Sequence, residues 1–500
     1  MHWQAHRSNG ICYFFLGKST FFSDFTVMTY LHYQYKKTIY TVITASSNGG
    51  NMLSKKPFPL IVALIFTFLF INTACARQTL TVGLYPDVPR IEQFKSVIET
   101  EWKKIEPDVA ITWDEKWGGG YEADPADTLD VYVFDTLYLT YFNAQGLLYN
   151  IPKNQVNNYE DFLSYAKAGV SSGDNVLGIP QLGCTTVLFY RSDDKAMAAA
   201  TTLEDVAKAL GTCTYYPQIP PASVGLMADF SNESANAGYY IQSLQCDKNQ
   251  WPVSLPYDES EIDTRIIDCI KQVIGMSSFQ DALTEAPISY QRGTWFGQGH
   301  GRAYIGYSES VSTIPENQYD TISVKVMPWA NNTEGIAAPL FYSDVIGVNT
   351  STQKRGTTKL AIKLANLMAS ADVLVQCLGP YEGKGPQYLI PARNSAFQAL
   401  SANHPMYQKI YDMVDSTSPI MFDAGPDARN WFNIMQKPLT IDYKADPTCY
   451  TDIPAKGGFI PDNAAAQTIC PDTCQNYNGW SGQWTNIVTP SVCGCNTPRQ

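Results

Sequence analysis

Residues 78–113 read QTLTVGLYPDVPRIEQFKSVIETEWKKIEPDVAITW, and this stretch decides the fold class. Leu80, Val82 and Leu84 alternate with Thr81 and Gly83, the two-residue period of a strand. Pro86 and Pro89 break it, since proline has no N–H and a fixed φ. Ile91, Phe94, Val97, Ile98, Trp102 and Ile105 then recur at three- and four-residue spacing, which makes one helical face apolar; Val109 to Trp113 returns to strand. The segment is a βαβ unit. Further along, Asp130 to Phe134 reads as a strand, Thr201-x-x-Glu204 with Gly211 as a capped helix, Ile322, Val324 and Val326 as a strand, and Lys359 to Met368 as a helix before a Gly/Pro-rich loop. Strands alternating with helices predict α/β architecture in two lobes. No internal repeat is visible.

The 500 residues exceed one ordinary domain, so at least two packed bodies are expected. Acidic residues outnumber basic ones by 47 to 35, a formal charge of −12, which disfavours nucleic acid and suits cationic or neutral ligands. Hydrophobic residues at 45%, charged residues at 16% and 31 Tyr describe an aromatic-rich globular chain, not a disordered one.

Lys55 and Lys56 precede an apolar stretch from Pro57 to Ile71, and Ala74-Cys75-Ala76 follows. A basic start, a short apolar core and a small-residue end make a secretory signal at 52–76, cleaved after Ala76; the alternative is a signal anchor. The apolar run is too short for a stable membrane span. Residues 1–51 show neither helical nor strand period and are expected to be an over-extended gene model. Export predicts an oxidising destination, secreted or lysosome-like, in keeping with N-x-S/T sites at Asn232, Asn331 and Asn349. Once the leader is removed, five of the ten remaining cysteines fall from Cys449 onward, the density of a stapled module. The mature chain is therefore expected as a two-lobed body, 77–445, and a small disulfide-rich β module, 446–500.

Histidine scarcity limits the chemistry. After the leader only His300 and His404 remain, with no paired ligand motif, so no metal or other cofactor is expected and a general base is sought among carboxylates. Gly297-Gln298-Gly299-His300-Gly301 lacks the strand before it that a dinucleotide loop needs, and reads as a turn. Cys184 stands between a loop and the apolar strand Val187 to Tyr190. By spacing alone it is a disulfide partner, an inert thiol or a cleft nucleophile. Glu309 follows the strand Tyr304-Ile305-Gly306-Tyr307, either as a solvated strand-end carboxylate or as a base in an aromatic pocket. Asp135 and Asp344 also follow apolar runs. Tyrosines and carboxylates gathered at strand ends suit an aromatic cation, because ring faces and carboxylates both attract positive charge.

At these residues the chain resembles the thiaminase I (thiamine pyridinylase) family, from about Gln78 to Tyr443. The resemblance rests on Thr79 to Pro86, Leu177 to Thr185, Ile305 to Glu309 and Tyr388 to Arg393. It implies a two-lobed periplasmic-binding-protein-like (type II) fold with a central cleft, and a ping-pong base exchange on thiamine. Cys184 matches the family's nucleophile, which adds to C6 of the pyrimidine before the thiazole leaves the bridging methylene. An incoming pyridine, aniline, other amine or thiol then takes that carbon. Glu309 matches the base that serves both halves. Tyr85, Tyr121, Asp135, Tyr290, Tyr307, Tyr342 and Asp344 match substrate-pocket positions. Asp87 stands where a tyrosine is expected, and Asp161 and Asp174 compete for a further aspartate position.

The tail is similar to a mannan-binding lectin module, on Ile453-Pro454-Ala455, Asn463 to Gln467, Cys470, Cys474, Asn478 to Trp484 and Ser491 to Cys495. Mannose-rich glycans are the implied partner, with Asn478, Trp480, Gln483 and Trp484 as candidate contacts, since ring faces pack on C–H groups while amides reach hydroxyls. The four cysteines from Cys470 allow three pairings. A monomer is expected. The rival reading is a non-catalytic thiamine or small-solute binding protein with a glycan-binding tail, because one fold hosts both functions.

Overall fold

Strand β1 (Gln78–Gly83) buries Leu80 and Val82, and it pairs in parallel with β2 (Val109–Trp113) on one side and β3 (Val131–Asp135) on the other. The helix Ile91–Ile105 joins β1 to β2 with Phe94, Ile98 and Trp102 turned inward at four-residue spacing. The Trp102 indole donates to the Val109 carbonyl at 3.0 Å, tying helix to strand. The expected βαβ unit is present. This computed structural model describes residues 78–211, 224–277, 289–331, 338–444, 449–477, 479–486 and 489–497. Residues 1–51, the leader 52–76, Cys213, Asn478 and the Gln483 side chain lie outside the described set.

Three short strands, β4 (Ile151–Pro152), β5 (Ser171–Ser172) and β6 (Asn175–Val176), form a small sheet of their own. The architecture is set by the next eight: β7 (Ile179–Cys184), β8 (Thr186–Arg191), β9 (Leu226–Met227), β10 (Ala303–Tyr307), β11 (Ile322–Val326), β12 (Leu340–Val348), β13 (Ile390–Pro391) and β14 (Ile420–Met421). One sheet has the order β13-β7-β12-β3-β1-β2, with β14 beside β12. The other has the order β11-β8-β10-β9. Each sheet is the centre of a lobe. The chain leaves the first sheet and enters the second across a single residue, Thr185, and it returns between β11 and β12.

Several local expectations shift. The capped helix is Leu203–Leu210, and its capping box uses Thr202 and Asp205, one residue later than the Thr201/Glu204 spacing suggests. Asp344 does not end a strand: β12 runs on to Val348, because Val345, Ile346 and Val348 are all buried, and a bulge follows Asp344. Gly297 to Gly301 is the end of the helix Ser289–Gly297 and a turn, as expected. Asn349 is buried, with its amide donating to the Ala126 carbonyl at 3.1 Å, so this N-x-S site is closed to a glycan. Asn232 is exposed and caps the helix Glu233–Lys248.

The tail is an antiparallel sheet, β15 (Cys449–Pro454), β16 (Trp480–Thr485) and β17 (Val492–Thr497), in the order β15-β17-β16. It also holds the helix Asn463–Thr473, capped by Asp462, which the β expectation omitted. Of the three possible pairings the structure has Cys470–Cys493 and Cys474–Cys495, so both bonds pin the helix to β17. These four cysteines, with Ala455, Ile460 and Ala466, make a core separate from that of the lobes.

Asp130 locks the central strands. Its buried carboxylate accepts from the Thr81 N–H at 2.9 Å, the Thr357 hydroxyl at 2.6 Å and the Arg355 guanidinium at 2.9 Å. Asp130→Ala strands these donors, and we expect a loss of about 3 kcal/mol in denaturant-induced unfolding, the scale for breaking a buried charged network. A loss below about 0.5 kcal/mol, the size of an ordinary surface change, contradicts this reading.

Candidate active site

Cys184 is the last residue of β7 and stands opposite Tyr342 of β12 in the first sheet. In the second sheet β10 runs antiparallel to β8, from Ala303 opposite Tyr190 to Tyr307 opposite Thr186. The chain leaves the ladder after Tyr307 in a short 3-10 helix, Ser308–Thr313, with Glu309 in its first turn. Thiol and carboxylate thus come from the two lobes, near enough for the Glu309 charge to act on the Cys184 thiol.

Cys184 is half-buried and forms no disulfide. Burial raises its thiol pKa well above the ordinary 9.0, and the nearby carboxylates of Glu309, Asp344 and Asp135 raise it further. It therefore rests as a thiol, and a thiol in this state can serve as a nucleophile only with the help of a base. Glu309 is only 4% exposed, not a solvated strand-end residue, and burial pushes its pKa up to about 7. Hydrogen bonds from Ser308, at 3.3 Å, and from Tyr290 limit the rise. A carboxylate poised near neutrality beside a protonated thiol is the arrangement general-base catalysis requires.

Asp135 ends β3, where its Oδ1 accepts from the Leu137 N–H and caps a short 3-10 turn. It pairs across the sheet with Asp344 of β12. Burial raises the Asp135 pKa to about 6; Asp344 is raised well above its ordinary value, first by burial and then by Asp135, Glu309 and Asp87. No cationic side chain is among the groups that shift these three acids and the thiol. Buried acids facing one another without a counter-ion make a strong site for a cation, which lets them ionise together.

The tyrosines form the walls. The Tyr121 hydroxyl donates to Asp135 at 2.8 Å, so the 2.9 Å contact between Tyr85 and Tyr121 is a donation from Tyr85. Gly119, at φ +68°, lets the Tyr85 ring lie against its backbone, where a Cβ would come within 2.8 Å. Tyr307 and Tyr342 meet edge to face with centroids 5.7 Å apart. Tyr290 is 43% exposed and stands at the rim. All nine candidates of the catalytic body join one group of interacting side chains.

The remaining candidates divide. Asp87 belongs to the site, since its charge raises Glu309, Asp344 and Tyr85. Asp161 accepts from the Ser395 hydroxyl and pairs with Arg393, and Asp174 is an exposed turn residue, so neither fills the missing aspartate position. Trp480 and Trp484 pack on the tail core, with the Trp484 indole donating to Asn463 at 2.8 Å. Sequence reasoning missed Gln242, whose amide donates to the Tyr342 hydroxyl at 2.8 Å from a helix that also brings Gly238 against that hydroxyl. The available signal was a helix carrying Asn236, Gln242, Ser243 and Gln245 in a run too polar for an ordinary core. Among the described residues, no group of acids, cysteines and histidines suits a metal, and no single helix is long and apolar enough to cross a membrane.

Comparison with known proteins agrees with this geometry. The thiaminase-1 domain family matches residues 185–330. Thiaminase-1 of Paenibacillus thiaminolyticus is 32% identical over 388 residues, 75% of this chain and 92% of the relative. Clostridium botulinum thiaminase I, solved in complex with thiamin, superposes with a TM-score of 0.69 at 33% identity, covering 73% of this chain and 100% of that one. A eukaryotic thiaminase-I bound to 3-deazathiamin, at 18% identity and a TM-score of 0.55, and a solute-binding protein from Thermotoga lettingae bound with tagatose, at 16% and 0.54, share the two-lobed fold. Identity of about a third, sustained over nine-tenths of a relative's length, places the chain in the thiaminase-1 family.

Proposed function

We propose that the chain is a thiamine-degrading transferase, which exchanges the thiazole of thiamine for an organic base or thiol, with Cys184 as nucleophile and Glu309 as base. One observation carries the assignment of roles: a half-buried thiol free of any disulfide shares an aromatic, acid-lined pocket with a carboxylate whose pKa is about 7. A passive carrier needs neither group, which disfavours the binding-protein reading.

The thiamine cation is held by Asp135, Asp344 and Asp87 between the rings of Tyr85, Tyr121, Tyr307 and Tyr342. Its charge favours ionised Glu309, which takes the Cys184 proton as sulfur bonds to C6 of the pyrimidine. The bond from the bridging methylene to the thiazolium nitrogen breaks, and neutral thiazole leaves with the electron pair. The incoming amine then bonds to the methylene, and the Cys184–C6 bond breaks to restore the ring and the thiol. Overall, thiamine cation and neutral amine give neutral adduct, neutral thiazole and one proton, which leaves through Glu309. Closure of the lobes excludes water and favours the organic nucleophile.

The domain reading supported by the sequence is a catalytic body at 77–445, exported behind the segment 52–76, with a glycan-binding module at 446–500. Two disulfides in the tail fit an oxidising destination. The half-buried indoles of Trp480 and Trp484 are the surfaces offered to a sugar ring.

Incubation with thiamine and aniline should release thiazole. Cys184→Ser should lower kcat by about 10³-fold or more while the circular dichroism spectrum and melting temperature stay near those of the parent. Glu309→Gln should lower kcat by about 10²–10⁴-fold with thiamine affinity kept; near-parental turnover in either variant rejects the roles. Because the base must be ionised, kcat/KM should rise with pH through about 7, where Glu309 loses its proton. In kcat the same limb should lie lower, since bound cation favours the carboxylate. A limb found only well above 9, set by the raised thiol, contradicts Glu309 as base. Residues 446–500 deleted, the enzyme should keep its turnover and lose retention on mannose-rich glycan arrays; unchanged retention removes the lectin role.

A further inference from the structure

A second cavity, of about 730 Å³, lies beside the lobe crossing, and Cys184, Glu309, Asp135 and Asp344 take no part in its walls. Its volume falls in the range of about 300–1,000 Å³ usual for small-molecule sites. Both lobes contribute: β8, the edge strand β11 and the helix Glu233–Lys248 from one, and Leu340 and Thr417 from the other. Its chemistry is opposite to that of the acid-lined pocket. Two lysines, Lys325 and Lys409, and one aspartate, Asp412, border it, so the thiamine cation is disfavoured there. The lysine N–H groups are turned onto backbone carbonyls, those of Met197 and Ala200 for Lys325 and of Tyr319 and Ile322 for Lys409. Apart from these three charged residues the polar wall is neutral: amides of Gln242, Gln245 and Asn249, hydroxyls of Thr201 and Ser323, and the rings of Trp329 and Tyr190. Aromatic surface, from a Trp329 ring stacked on Tyr239 and a Tyr190 ring beneath Lys325, lies beside neutral donors and acceptors, a mixture that matches a hydroxyl-rich ring.

The wall of this cavity is bonded to the active site. The Trp329 indole donates to the Thr186 hydroxyl at 3.1 Å, that hydroxyl donates to the Gln242 carbonyl oxygen, and the Gln242 amide donates to the Tyr342 hydroxyl at 2.8 Å. Thr185, also in the wall, follows Cys184 directly, and its hydroxyl donates to the Leu340 carbonyl at 2.8 Å across the crossing. We propose that this cavity is a second ligand site, for an uncharged mono- or disaccharide, whose occupancy shifts thiamine affinity through Gln242 and Tyr342.

Cys246 offers a direct readout, for it is half-buried, free of disulfide and part of the wall, whereas the equally half-buried Cys269 is not. The full-length protein is alkylated with iodoacetamide in the presence of millimolar glucose, trehalose or maltose, and each cysteine is followed by peptide mass spectrometry. At least one sugar should slow alkylation of Cys246 several-fold, leave Cys269 unchanged and shift KM for thiamine by about fivefold, the lower range of allosteric coupling. Ser323→Trp, which fills the cavity from β11, should abolish both effects while basal kcat is kept. Equal alkylation of Cys246 with and without all three sugars overturns the proposal, as does a KM shift that survives Ser323→Trp. The alkylation rates require no variant to fold.

Discussion

The site depends on one constraint of chain geometry, the passage between two sheets across the single residue Thr185. A crossing so short leaves no freedom to the residues on either side. Cys184 is fixed by its pairing with Tyr342 and Thr186 by its pairing with Tyr307, and the short helix that follows Tyr307 carries Glu309 to where its charge acts on the thiol. Neither lobe holds the chemistry alone. A relative movement of the lobes must therefore alter the separation of thiol and carboxylate, which in the proposed mechanism couples closure over substrate to activation of the nucleophile.

Electrostatics gives that coupling its direction. The acids oppose one another, and burial keeps the Cys184 thiol protonated. Arrival of a permanent cation reverses the balance, because each carboxylate gains a counter-charge where water is scarce. In the proposed mechanism the acids that hold the substrate also prepare the base. An uncharged analogue supplies no such change, so selectivity and activation have one origin.

Local periodicity made much of the fold legible. The alternation at Leu80, Val82 and Leu84 and the spacing of Phe94, Ile98 and Trp102 both report burial of one face, and both elements are present. The two-lobed body follows from repeated strand and helix. Asp344 was misjudged as a strand end because a polar residue inside a buried strand resembles a terminus, and only pairing with Asp135 explains it. Gln242 was not legible as a site residue, since its role arises from contacts made across the fold rather than from a local pattern, whereas Asp87 stood at a pocket position but with an unexpected residue type. The burial of Asn349 was hidden for the same reason: its tripeptide is local, whereas the partner of its amide, Ala126, is far away in the chain. The cysteine pairing in the tail depended on a helix that composition did not announce.

The central claim is that one sulfur becomes bonded to the pyrimidine during turnover. Native protein mixed with thiamine in the absence of an amine or thiol acceptor, quenched in acid and mapped by peptide mass spectrometry, reports that bond directly. The account predicts the pyrimidinylmethyl group on the peptide containing Cys184, absent once aniline is supplied. Cys184 recovered in a cystine, or the group found on another residue while Cys184 stays unmodified, contradicts it.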